Sequence, residues 1–130
     1  MLLADKTCIV TGAASARGIG RATARLFAEH GGTAIVLDLD GDAAAAAARE
    51  LGAGHRGYAC DVTDKAACVA AVEKVTGEFG RVDVLVNNAG ITRGAGMPDV
   101  DADNLAQHGA VHLGGSFNTV RAAWPHLAEQ

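Results

Sequence analysis

A run of residues near the start of the chain, TGAASARGIG from Thr11 to Gly20, has the composition of a phosphate-binding loop. Glycine allows a sharp turn and lets a ligand approach the bare backbone, and a helix that begins there offers unpaired N–H groups to an anion. A glycine pattern alone is weak evidence, because loops need glycine wherever φ is positive. The neighbouring elements therefore decide what this run does.

The glycine run lies between a predicted strand and a predicted helix. Thr7 to Thr11 form a short β-branched segment, and the helical segment from Arg21 to His30 places Ala22 and Leu26 on one face. A second apolar strand is predicted from Thr33 to Leu37. This order of strand, glycine turn, helix and strand is the setting in which such a run binds the pyrophosphate of a dinucleotide.

Within this unit each glycine has a predicted role. Gly12 allows the turn off the strand, Gly18 lets the pyrophosphate approach the backbone, and Gly20 lets helix and strand pack closely. Asp38, at the end of the second strand, is placed to accept hydrogen bonds from the ribose hydroxyls of adenosine. Its carboxylate repels a 2′-phosphate and favours NAD, whereas Arg17 is a partner for that phosphate and keeps NADP as the alternative.

The rest of the chain continues to alternate between strands and helices. Helices are predicted over Asp42–Leu51 and Lys65–Phe79, and strands over Arg56–Cys60 and Val82–Val86. This alternation predicts an α/β fold, a Rossmann-like doubly wound parallel sheet that stops after a fourth strand and its following helix. We expect a single dinucleotide-binding domain over residues 1–130.

A long helix is predicted from about Asn104 to Glu129, after a loop from Thr92 to Asp103. Its large apolar residues recur at steps of three and four and make one stripe. The stripe consists of Leu113, Phe117, Val120, Trp124 and Leu127. We expect it to pack on the sheet, with burial at a subunit interface as the alternative. Pro125 is expected to kink or restart the end of the helix.

Composition argues against several classes of function. The 11 basic and 15 acidic residues give a net charge of -4, and no basic run with interleaved aromatic residues points to nucleic acid. No apolar stretch reaches the roughly twenty residues that span a bilayer, and the first residues lack the plan of a signal peptide, so we expect a cytoplasmic protein. Cys8, Cys60 and Cys68 lack a C-x-x-C spacing and are expected to be small buried residues.

Two further patterns imitate metal sites. His108 and His112 stand one helical turn apart, but no third ligand is evident and no H-E-x-x-H pattern is present. Alternate acidic residues from Asp99 to Asp103 imitate a calcium loop, yet Asn104 replaces the glycine that such a loop requires. We therefore predict no bound metal.

Taken together, these motifs resemble the classical short-chain dehydrogenases/reductases, which are NAD(P)-dependent oxidoreductases with a Rossmann core. The resemblance rests on Thr11-Gly12 with Gly18-Ile19-Gly20, Asp38, Asp61-Val62, Asn87-Asn88-Ala89-Gly90 and the helical segment Val111 to Pro125. It implies hydride transfer between the nicotinamide and a secondary alcohol or ketone, with 3-oxoacyl or 3-hydroxyacyl compounds among the candidates. The predicted partners are a small-molecule substrate and further copies of the chain, bound through the C-terminal helix.

The resemblance also implies roles for individual residues. Asp61 would hold the adenine amino group, Val62 would contact the ring, and Ile91 would lie near the nicotinamide. The segment from Asn87 to Gly90 would brace the central strand beside the cofactor ribose, or its asparagines would only satisfy backbone groups of the loop. The candidate cofactor-binding residues are Gly12, Ser15, Arg17, Gly18, Ile19, Gly20, Asp38, Asp61, Val62, Asn88, Ala89, Gly90 and Ile91.

The chain departs from the family pattern at two places within these motifs. The usual pattern is T-G-x-x-x-G-x-G, whereas five residues separate Gly12 from Gly18 here, so the glycine loop carries two extra residues. His112 stands where the family usually has an asparagine that helps to hold a water in the proton relay. It is therefore the candidate catalytic residue in this chain.

The family's catalytic serine, tyrosine and lysine are expected beyond Gln130. The single tyrosine, Tyr58, is followed four residues later by Val62 instead of lysine, and we expect it to pack in the fold. One interpretation is that the chain is the amino-terminal half of an oxidoreductase and is inactive alone. The other is that it is a non-catalytic dinucleotide-binding or regulatory module without the tyrosine and lysine.

Overall fold

A computed structural model describes residues 1–94 and 96–129, in which strands and helices alternate along the chain. Ala95, in the loop predicted after the fourth strand, and Gln130, at the end of the predicted domain, lie outside the described residues. The strands are β1 (Thr7–Thr11), β2 (Thr33–Asp38), β3 (Arg56–Ala59) and β4 (Val84–Val86). The helices are α1 (Ile19–Glu29), α2 (Gly41–Leu51), α3 (Lys65–Phe79), α4 (Ala102–His108) and α5 (Gly115–Ala128). None of the described helices is long and apolar enough to cross a membrane.

The four strands form one parallel sheet in the order β3-β2-β1-β4. Strand β1 pairs in parallel with β2 on one side and with β4 on the other. This confirms the predicted Rossmann-like α/β fold. The chain moves away from β1 in one direction through β2 and β3, and then returns to its other side with β4. Ligands of such sheets bind at the carboxyl ends of the strands where this reversal occurs, which here is the gap between β1 and β4.

The helices cover both faces of the sheet and bury two apolar clusters. Ile9 and Ile35 point to one face and pack with residues of α3, whereas Val10 and Val36 point to the other and pack with alanines of α1 and α2. Successive residues of a strand face opposite sides, so a strand covered on both faces is apolar throughout.

The cysteines confirm the expectation that they are small buried residues. Cys8, Cys60 and Cys68 are all buried and free. The sulfur atoms of Cys60 and Cys68 lie 4.0 Å apart. Burial, together with the neighbouring Cys68, raises the pKa of the Cys60 thiol to about 12.

Two element predictions need correction. Helix α1 buries Gly20, Arg21 and Ala24, and not the predicted face, since Leu26 is 53% exposed. Small residues let this helix approach the sheet closely, and the guanidinium group of Arg21 contacts Ala14 and Glu50. Strand β4 begins at Val84, two residues later than predicted, and the carboxylate of the preceding Asp83 accepts the N–H of Thr7 at 2.8 Å.

The long C-terminal helix is present but is not regular. Between α4 and α5 lies a π-helical segment, Gly109–Gly114, bounded by glycines that weaken an α-helix. The predicted restart at Pro125 is wrong, because α5 continues through this residue to Ala128. Single π-helical turns occur frequently at functional sites, and this one carries His112.

Most of the apolar stripe does not pack on the sheet as expected. Leu113 is 77%, Phe117 60% and Trp124 62% exposed. The buried face of α5 instead presents small residues, Gly115, Thr119 and Ala123. A Cβ at Gly115 would lie 2.6 Å from Cγ2 of Val62, so the helix approaches its neighbours too closely for a large side chain. Leu127 is the exception, since it is partly buried against the main apolar cluster, and the other large residues of the stripe are left on the surface.

Candidate cofactor site

The glycine turn after β1 has the geometry that its sequence predicts. Gly12 has φ +64°, and a Cβ there would lie 2.6 Å from the Cα of Ala89. Gly12 therefore requires glycine, whereas a Cβ on Gly20 would displace the side-chain nitrogen of Asn88. Gly18 has an ordinary backbone conformation, and its approach to a pyrophosphate stays a prediction.

The amino terminus of α1 differs from those of the other α-helices that begin from a loop. Asp40, Asp64 and Asp101 each accept a backbone N–H at the start of α2, α3 and α4. The residue before α1 is Gly18, which makes no side-chain cap, so the first N–H groups of α1 are left for another acceptor. A negative charge placed there is stabilised by the positive end of the helix dipole.

Asp38 lies at the carboxyl end of β2 and holds the glycine loop. Its Oδ2 accepts the N–H of Ala14 at 3.1 Å, and its Oδ1 accepts the N–H of Asp40 at 3.2 Å. A carboxylate oxygen has two lone pairs, so each oxygen keeps one for a further donor. The arrangement presents a fixed, half-buried acceptor that fits the two hydroxyls of a ribose.

The asparagines after β4 brace the strands. Asn88 donates its side-chain N–H groups to the carbonyls of Thr11, at 3.1 Å, and Gly12, at 2.9 Å. Asn87 accepts a hydrogen bond from the hydroxyl of Thr119 in α5. The reading in which Asn88 satisfies backbone groups of the loop thus accounts for its amide nitrogen, and a direct contact with a cofactor stays a prediction.

A cleft of about 350 Å³ opens at the carboxyl ends of the strands. It collects many of the predicted residues, namely Gly12, Asp38, Asp61, Val62, Asn88, Ala89, Gly90, Ile91 and His112. The remaining candidates lie outside its lining: Ser15, Arg17, Gly18, Ile19 and Gly20. Among these, Ser15, Arg17 and Ile19 are exposed. The cleft therefore joins the predicted ribose, adenine and nicotinamide positions, with the glycine loop at its rim.

His112 reaches from the π-helical segment to the backbone after β4. Its Nε2 lies 3.2 Å from the nitrogen and 2.9 Å from the oxygen of Ile91. The ring of His108 is stacked beside it, with centroids 6.0 Å apart, and accepts the N–H of Arg93 on its Nε2 at 3.3 Å. Both rings therefore hold the loop that borders the predicted nicotinamide position.

Tyr58 lies away from the cleft and does pack in the fold as expected. It lies against the main apolar cluster, and its hydroxyl donates a hydrogen bond of 2.7 Å to Glu78. The ammonium group of Lys74 sits 4.3 Å from the centre of its ring. Burial and the hydrogen bond to Glu78 raise the pKa of Tyr58 to about 12, so its proton is held firmly.

The sequence reasoning missed several residues of the site. Leu39, Cys60, Thr92 and Val111 line the cleft beside predicted neighbours. Arg21 was also missed, although a cation in the first turn of a helix opposes the helix dipole and is a signal that the side chain has a specific partner.

Together the parallel sheet, the glycine turn and the acid at the end of β2 define a Rossmann-type α/β domain. The sequence profile of the short chain dehydrogenase family matches residues 6–130. The chain belongs to this family.

Similar proteins agree with that assignment. The chain is 41% identical to a 3-oxoacyl-[acyl-carrier-protein] reductase of Thermotoga maritima, with 100% of this chain and 53% of the relative covered. It is 40% identical to a D-threitol dehydrogenase of Mycolicibacterium smegmatis, with 98% and 49% covered. The crystal structure of 3-ketoacyl-(acyl-carrier-protein) reductase from Brucella melitensis complexed with NADH superposes with a TM-score of 0.90 at 33% identity, over 97% of this chain and 51% of that one. The chain spans about half the length of the relatives it matches.

Proposed function

We propose that this chain is the cofactor-binding part of an NAD-dependent oxidoreductase acting on a secondary alcohol or ketone. The observation that carries the proposal is the carboxylate of Asp38, which borders the same cleft as the Gly12 turn. The amino terminus of α1 has no side-chain cap, so its first N–H groups are available to bind the pyrophosphate. Similarity to a structure complexed with NADH supports the same cofactor class.

The residues of the cleft divide the dinucleotide between them. Asp38 accepts the adenosine ribose hydroxyls, and Asp61 and Val62 hold the adenine. Ile91, fixed by His112, borders the nicotinamide. NAD is favoured over NADP because the Asp38 carboxylate repels a 2′-phosphate, while the exposed Arg17 keeps NADP as the alternative.

The bound nicotinamide would supply hydride chemistry, and this chain would orient it. The relatives' names include 3-oxoacyl and 3-ketoacyl reductases, which makes a 3-oxoacyl or 3-hydroxyacyl compound the proposed substrate class. His112 holds the backbone of Ile91 and is the candidate for the position where the family has its asparagine. The proposed proton donor is a tyrosine outside this chain, because Tyr58 is turned away and held by Glu78.

The position of Tyr58 also favours the second candidate function, a dinucleotide-binding or regulatory module without chemistry. The two candidates differ in the length of the natural protein. An intact mass near 13.1 kDa for the protein from its natural source supports the module. A mass near that of the longer relatives supports the oxidoreductase.

Titration of the chain with NADH tests the cofactor proposal directly. We expect saturable binding with a dissociation constant below about 1 mM, displaced by ADP-ribose more effectively than by nicotinamide mononucleotide, because most of the proposed contacts are on the adenosine and pyrophosphate side. Calorimetry or NADH fluorescence measures it. A chain that is folded by circular dichroism and shows no saturable binding contradicts the proposal.

The exposed stripe on α5 is the proposed contact with a second copy of the chain. Large apolar side chains exposed together on one helix favour association. Replacing Phe117 and Trp124 together with aspartate is expected to raise the dimer dissociation constant by about a hundredfold or more, because each buries a large ring at the proposed interface. Sedimentation velocity measures the change.

Leu26→Asp is the matched control, since Leu26 is also exposed but lies on α1. It should leave association unchanged. A wild-type chain that stays monomeric up to its solubility limit would argue against a dimer.

The proposed location is the cytoplasm, whose reducing conditions suit the three free cysteines.

A further inference from the structure

Arg21 lies beneath the glycine loop and contacts its backbone. It belongs to the first turn of α1 and is only 4% exposed. Its Nη1 donates to the carbonyl oxygen of Ala14 at 3.1 Å, and its Nη2 forms an ion pair with Glu50 of α2. A cation at this end of a helix opposes the helix dipole, so helix formation does not explain its place.

Ala14 is held from both sides. Its N–H is bound by Asp38 at 3.1 Å and its carbonyl by Arg21 at 3.1 Å. Ala14 lies in the stretch between Gly12 and Gly18 that is two residues longer than the family pattern. The two contacts tie this longer loop to the end of β2 on one side and to α2, through Glu50, on the other.

The guanidinium group of Arg21 leaves one of its nitrogen atoms without a hydrogen bond among the described residues. Within residues 1–94 and 96–129, its buried Nε has no hydrogen-bond acceptor. Buried polar atoms are normally paired, so an unpaired one needs an explanation. The orientation of Arg21 is the one that reaches both Ala14 and Glu50.

The geometry points to Arg21 as a positioning residue for dinucleotide binding, a role that rests on the proposed function. Arg21 does not line the cleft and acts through the backbone of Ala14. Fixing the loop before a ligand arrives removes the cost of ordering it on binding. The effect should therefore fall on ligands that carry the pyrophosphate, which the loop would contact, and less on adenosine alone.

The test compares Arg21→Met with Arg49→Met, which makes the same chemical change at an exposed arginine of α2. Affinity is measured for NADH, ADP-ribose and adenosine. We expect Arg21→Met to weaken NADH and ADP-ribose by about tenfold and adenosine by less than about threefold, and Arg49→Met to change none of them.

Amide hydrogen exchange in the ligand-free protein supplies a readout independent of cofactor binding. We expect faster exchange of the Ala14 N–H in Arg21→Met, with unchanged exchange at Ile9 and Val36 in the strands. Glu50→Gln changes a side chain that is 70% exposed and should reproduce a smaller form of both effects without endangering the fold. In the double variant the two changes should not add, since Glu50 acts through Arg21.

The outcomes distinguish a role of Arg21 in positioning the loop from a role in global stability alone. Unchanged NADH affinity in a folded Arg21→Met variant overturns the positioning role. Exchange that rises equally in the loop and in the strands also overturns it, because Arg21 would then support only global stability. If the wild-type chain does not bind NADH, the proposed function fails, while the exchange of Ala14 still reports whether Arg21 holds the loop.

Discussion

Replacing Gly12 with alanine is expected to lower the free energy of unfolding by about 3 kcal/mol. Two costs add at this position. The backbone has φ +64°, which side chains other than glycine rarely adopt, and the new Cβ would lie 2.6 Å from the Cα of Ala89. The Cα of Ala89 belongs to the backbone of the segment that follows β4. Relieving its contact with the new Cβ would therefore require this segment to move away from the end of β1. Urea denaturation followed by circular dichroism measures the change.

Gly77→Ala is the matched control for this prediction. Gly77 lies inside α3, and a Cβ there meets nothing within 4 Å. The substitution should raise the free energy of unfolding by about 0.5–1 kcal/mol, because alanine favours a helix over glycine. Equal stability of Gly12→Ala and the wild-type chain would show that the turn after β1 is not tightly packed on Ala89.

Replacing Asp38 with asparagine is expected to weaken NADH binding by about ten- to hundredfold, since hydrogen bonds to a charged group are lost. Asparagine keeps one carbonyl oxygen that can still accept the N–H of Ala14 or Asp40, so the loop itself should remain close to its present form. The loss of the carboxylate also removes the repulsion of a 2′-phosphate. The ratio of NADPH to NADH affinity should therefore rise.

Parallel titrations of both cofactors check this prediction, and Asp42→Asn is the control. Asp42 is an exposed acid in the first turn of α2, a short distance along the chain from Asp38. Removing its charge should change NADH affinity by less than about twofold, because Asp42 does not line the cleft and the charge of an exposed residue is screened. An Asp38→Asn variant with wild-type affinity for NADH would remove Asp38 from the proposed ribose site.

Local patterns made the first half of the fold predictable. Strand β1 was assigned at its observed bounds because a β-branched run ending in glycine has few alternatives. Gly12 and Asp38 were found for a similar reason, since a turn with positive φ and an acid at a strand end have recognisable types and places. The cleft then brought Asp38, Asp61 and Ile91 together as expected.

Helix faces were less predictable than helix positions. The face of α5 was assigned from its large apolar residues, yet the residues that this helix buries are the small ones, Gly115, Thr119 and Ala123. Periodicity shows that residues share a face but not which neighbour that face meets. In α5 the close approach of Gly115 to Val62 leaves room only for a small residue. That distance follows from tertiary packing and cannot be read from the sequence of α5.

The sequence by itself determined the order of strands and helices, the glycine turn and the acid at the carboxyl end of β2, because each depends on residues close together in the chain. The tertiary structure alone decided what Arg21, Asn88 and His112 do, since their partners lie on other elements: Glu50 for Arg21, Thr11 for Asn88 and Ile91 for His112. It also decided that most of the α5 stripe is exposed. Contacts between distant residues follow from how elements pack, and no local pattern in a single sequence carries that information.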